Sequence, residues 1–152
     1  LCHLNLSIVF TGITHSHHYI AYLLLLTAIS TVAYAIYARM NNQSIGAAEN
    51  KLSLITMILA HLQLLFGLIL LVKTYGDATA ANSMSDIMKD ADLRRLVIEH
   101  PSTMILSVLL FTLGRMKFKR AEGDNNKRKA LIRYMGLGLA LMLAVTPWDK
   151  LF

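Results

Sequence analysis

The chain has 152 residues, 55% of them hydrophobic and only 16% charged, with a mean hydropathy of +0.50. That is more apolar surface than a soluble domain of this size can hide, and the length is short for more than one domain. The net charge of +6 does not read as nucleic-acid binding, because eight of the 15 Lys and Arg fall between Arg115 and Arg133, on one connecting loop; such clustering is the positive-inside pattern of a membrane protein.

Residues 1–14 are apolar but short, and no basic region precedes them, so they make a poor signal peptide. The missing initiator Met leaves open a misplaced or trimmed start. His15-Ser16-His17-His18 is a polar doorstep to the uncharged run Tyr19–Ala38, the first predicted membrane helix. Arg39 to Gln43 ends it and Gly46 helps turn the chain. The second helix covers about 51–73 and breaks at Tyr75-Gly76-Asp77. Met84, Ile87, Met88 and Ala91 then recur at helical spacing, which predicts a short amphipathic helix on the membrane surface.

The third helix, about 96–117, carries Glu99-His100-Pro101 near its start, three residues that lipid tolerates only beside protein or an aqueous rim. The fourth, about 130–147, ends at Pro147-Trp148, with the indole suited to an interface. Its Gly136, Ala140 and Ala144 predict close helix packing inside the bundle, or alternatively a homodimer seam. The expected fold is a single all-α transmembrane domain over 1–152, an up-down-up-down four-helix bundle. The basic loop lies inside and both termini outside, and the bilayer is the first partner.

Cys2 is the one cysteine, which excludes an intrachain disulfide framework, and no Cys-x-x-Cys-His haem-attachment motif exists. Histidine therefore carries what chemistry there is. Counted along the helices from their cytoplasmic ends, His61 is about 15 Å deep, His100 about 22 Å and His17 about 33 Å, a staggered ladder toward the outside. A buried imidazole must be satisfied. A structural hydrogen bond, a metal ion and haem compete as explanations. A closed zinc or copper site wants three or four ligands at one level, which the ladder does not offer. Haem wants one or two imidazoles from facing helices and an apolar slot.

His100, Thr103, Ser107 and Gly114 share a face that leaves room for a flat ring, or simply packs against a neighbour. Gln63 points nearly opposite His61, so one of the two contacts a neighbouring helix instead of the bundle centre. Met57, Met104, Met135 and Met142 are weaker axial candidates or gap-fillers. Arg94 and Arg95 could hold haem propionates, or pair with Asp90, Asp92 or Glu99. Glu99 could orient an imidazole of another helix, such as His17. No catalytic constellation is present, so the chain is a redox carrier at most. The basic loop has anionic lipid headgroups as a secondary use.

Phe10-Thr11-Gly12-Ile13-Thr14-His15-Ser16-His17, Ala60 to Leu68, Met88-Lys89-Asp90, Val97-Ile98-Glu99-His100, Thr112 to Arg115 and Pro147-Trp148 together make a recognisable pattern. In these the chain resembles a family of small four-helix inner-membrane proteins of Bacteroidetes commonly labelled "cytochrome B". The resemblance implies haem b and electron transfer in a bacterial inner membrane, with the family's histidines falling on His15, His17, His61 and His100. Related chains place an Arg and a Trp early in the first helix, where this one has Ala21 and Tyr22, so a propionate partner here would be another residue such as Arg95. The expectation is a haem b-binding membrane protein with His61 and His100 as iron ligands and His17 as substitute. It would serve electron transfer beside a respiratory-chain protein or a quinol. The alternatives are a structural membrane protein without cofactor and, last, a metal or proton permeation protein.

Overall fold

The structure, a computed structural model, describes the backbone of residues 2–151 and the side chains of residues 7–149. Among these every regular element is helical. In chain order they are α1 (Cys2–Met40), α2 (Ala47–Ala81), α3 (Met84–Lys89), α4 (Ala91–Arg120), α5 (residues 124–145) and α6 (Trp148–Leu151). Three of them, α1, α2 and α4, are long and apolar enough to cross a membrane. In α5 the mostly apolar part, residues 131–145, spans only about 22 Å, behind the basic run Lys127-Arg128-Lys129.

The helices outrun the lengths expected from sequence. The His15–His18 tetrad lies in mid-helix, because α1 runs unbroken from Cys2. The hydroxyls of Thr11 and Thr14 there donate back to the carbonyls of Ser7 (3.0 Å) and Phe10 (2.9 Å) without stopping it. Likewise α2 passes through Tyr75-Gly76-Asp77, where an i,i+4 pair between Lys73 and Asp77 bridges the expected break. In α4 the helix starts ten residues ahead of Pro101, from a cap in which the Asp90 carboxylate accepts from the N–H groups of Asp92 and Leu93, both at 2.9 Å. Proline cannot donate to the carbonyl four residues back, and the chain absorbs this with a wider π turn over Arg95–Glu99, where the His100 N–H reaches the Arg95 carbonyl.

Packing runs α1 on α2, α2 on α4 and α4 on α5, with α5 returning to α1, so each long helix touches two others. Phe111, Leu24, Leu131 and Met135 form the buried apolar core, but α2 buries only small or polar residues. On α2 the inward residues are Ser53, Thr56, Ala60 and Gln63, while Leu65 and its like face outward. That is the reverse of a water-soluble helix and the usual arrangement in lipid, where small residues let backbones approach and apolar chains meet the solvent. Between α1 and α2 the Thr31 and Thr56 hydroxyls meet at 3.0 Å.

At α4–α5 the close approach is made by Gly114 and Gly138. A Cβ on Gly138 would lie 3.2 Å from both Phe111 Cε1 and the Ser107 carbonyl. The predicted stripe on α5 is not what packs: Ala140 and Ala144 are exposed, and Gly136 has Val32 3.9 Å from a notional Cβ. The small α3 docks through Ile87, fully buried against Ala78 and Val97.

At the cytoplasmic end in the predicted topology, two arginines are buried. Arg128 donates to the Glu49 carboxylate (2.5 Å), to the Gln43 carbonyl (2.5 Å) and to the Ser44 carbonyl (3.0 Å). Arg115 donates to Ser53 Oγ at 2.8 Å and lies over the Phe118 ring.

Candidate functional site

Toward the other end of the molecule two adjoining cavities share a wall made of His17, His18, Gln63, His100, Met104 and Pro147. The larger, about 390 Å³, extends between α2 and α4 along Leu64, Gly67, Leu71 and Ile105; the smaller, about 70 Å³, lies toward Leu24, Met142 and Trp148. The larger falls in the range of small-molecule sites, roughly 300–1,000 Å³, and has their character: apolar walls with a few convergent polar groups. Leu68 and Ile105, 42% and 40% exposed, border it on the outward side.

His100 stands on this wall because the π turn ends at it. Its Nδ1–H donates to the Val145 carbonyl at 3.2 Å. A carbonyl only accepts, so this bond settles the tautomer and leaves Nε2 with a bare lone pair. His17 faces α2. Its Nε2 lies 3.1 Å from the Gln63 amide nitrogen, and its Cε1 would be 3.2 Å from a Cβ on Gly67, which only glycine avoids. Two buried atoms of this couple, His17 Nδ1 and Gln63 Oε1, have no hydrogen-bond partner among the described residues. His18 completes the group, its ring 6.4 Å from that of His17.

His61 is not among them. It is exposed on the far side of α2, where its Nδ1–H donates to the Met57 carbonyl at 2.8 Å and its Nε2 is 3.5 Å from the Thr112 hydroxyl. Of two residues pointing nearly opposite ways, Gln63 is the one that turns inward. His15 is exposed and lines neither cavity, and the side chain of His3 lies outside the described residues.

Arg95 donates to the Thr146 carbonyl at 3.0 Å and borders a recess of about 20 Å³ with Asp92, His100 and Asp149. Arg94 pairs with Glu99 at 2.7 Å, so Glu99 serves the rim and Gln63 takes the place beside His17. Of the methionines, Met104 and Met142 reach the cavities, whereas Met135 packs against Gly114. Among the described residues no group of three or more His, Cys, Asp or Glu converges as a metal centre would.

Gly67 and His18 are the site residues that reading by side-chain chemistry passed over, and Gln63 entered it only as the residue opposite His61. A signal existed for Gln63 and Gly67: Ser53, Thr56, Ala60, Gln63 and Gly67 recur every three or four residues on α2, and in lipid such a small and polar stripe marks the inward face. Nothing in the sequence separates His18 from His17.

Fold and site together define a class, an all-helical chain with three membrane-length apolar helices and an imidazole-lined apolar cavity among them. Beyond that class, no family model, curated protein or solved structure matches the chain.

Proposed function

We propose that the chain is a haem b-binding integral membrane protein of a bacterial inner membrane. In this reading it is a four-helix bundle with both termini outside that works in electron transfer, alone or as an accessory subunit beside a respiratory-chain protein or a quinol. The observation that carries it is His100: an imidazole with its tautomer set by a backbone carbonyl and its Nε2 bare, on the wall of an apolar cavity between helices. A haem ligand needs that arrangement, since the partner on the far nitrogen orients the ring and raises its basicity. The donor set fits the group, with a second imidazole available on α1 and Arg95 at the rim for a carboxylate. Bound there, the haem would supply a one-electron couple. The clustering of eight Lys and Arg between Arg115 and Arg133 supports the inner-membrane part of this reading, and the resemblance to the family labelled "cytochrome B" the haem part.

Reduced-minus-oxidised absorption spectra of protein purified from haem-replete cells are the test. Soret and α bands that disappear in His100→Ala and persist in His61→Ala are expected. A colourless protein that takes up no haem on reconstitution refutes the proposal.

A further inference from the structure

Resting on the haem reading, we infer that the second iron ligand is His18, with the His17–Gln63 couple serving as a brace between α1 and α2. Hydrogen bonding and accessibility decide between the two neighbouring imidazoles. Each ring nitrogen of His17 is closed to the cavity: Nε2 is engaged by Gln63 at 3.1 Å, and Nδ1 is sealed without accessible surface, beside Gly67. For His17 to ligate, it would have to give up the Gln63 contact and part α1 from α2.

His18 is the opposite case. It lines both cavities, and among the described residues neither of its ring nitrogens has a hydrogen-bond partner or is sealed off. It stands on α1 while His100 stands on α4, so the two imidazoles border the cavity from different helices and could hold a haem between them. Met104 is four residues after His100 on one face of the same helix and cannot come from the opposite side. The couple has a use of its own. Gln63 and His17 present complementary donor and acceptor to each other whichever way the amide is turned, and Gly67 lets the ring lie against the α2 backbone.

The test uses the full chain in detergent micelles, loaded with haem, and reads the low-spin bis-imidazole signature by electron paramagnetic resonance, together with haem stoichiometry. Loss of the signature is expected in His18→Ala and His100→Ala, with recovery in His18→Ala on adding free imidazole. His17→Ala and Gln63→Leu should keep it. His18→Met, which keeps a ligating side chain, should retain haem and raise the midpoint potential, since a thioether in place of an imidazole favours the reduced iron; this variant speaks if His18→Ala fails to fold. An unchanged signature in His18→Ala, or its loss in His17→Ala alone, overturns the assignment while the haem reading stands. A wild-type chain that binds no haem overturns both.

Discussion

Replacing Arg128 with Ala should be among the most damaging single changes in the molecule, although it is far from the histidines. The side chains of Arg128 and Glu49 are 3% and 1% exposed, and the guanidinium closes four contacts: two to the carboxylate and one each to the carbonyls of Gln43 and Ser44. Removing it leaves a buried carboxylate held by the Gly46 N–H at 3.1 Å, and leaves the α1–α2 turn tied to α5 through the Ile45 N–H on the Asp124 carboxylate. Breaking one side of a buried pair costs about 3–5 kcal/mol, or roughly two to three and a half orders of magnitude in the folding equilibrium. Unfolding by increasing mole fraction of sodium dodecyl sulfate in mixed micelles, followed by circular dichroism, reads this directly. The informative control is Glu49→Gln with Arg128→Met, which removes both charges at similar volume and should recover more than half of the loss. A loss under about 1 kcal/mol in Arg128→Ala, or a double variant as unstable as the sum of the singles, would refute the view that an uncompensated buried charge is what costs.

Three further outcomes are expected. Gly138→Ala forces a methyl to within 3.2–3.3 Å of Phe111, Leu110 and the Ser107 carbonyl, and should lower stability in the same assay by about 1–3 kcal/mol. Gly67→Leu fills the space against which the His17 ring lies; it should separate α1 from α2, and cross-linking of cysteines placed on the two helices near this level should fall. Pro101→Ala restores a backbone donor and should let the π turn over Arg95–Glu99 relax to an α turn. His100 would then swing away from Val145, and changed Soret bands with an unchanged helix content would report it.

Much of the fold is legible before any coordinates. Apolar runs of membrane length and a basic cluster in one loop mark the likeness to a membrane protein; four spans are expected, and among the described residues three helices are long and apolar enough to cross. The short helix before α4 is equally visible, in the helical spacing of Met84, Ile87 and Met88. The ends of α1 and α2 are less so. A tetrad of polar residues and a Tyr-Gly-Asp segment read as breaks, yet the helices run through both: His17 and His18 border the cavity between helices, and Lys73 pairs with Asp77 across the other. The α5 stripe misled for a related reason: small residues mark close packing only where a neighbouring backbone is present, and at Gly138 one is.

The residues of the chain by themselves placed imidazoles among apolar helices, with His61 and His100 as the expected pair and His17 as the substitute. Only the tertiary structure decided which side chains share the cavity. Adjacent helical residues point about 100° apart, so His17 and His18 border the cavity differently, His17 turned onto α2 and His18 not, while His61 and Gln63, two residues apart, face nearly opposite ways. In water the apolar face would have announced the inside. In lipid both faces are apolar, and inward is the direction in which another helix comes close enough to bond, as α1 does at Gln63 and Gly67.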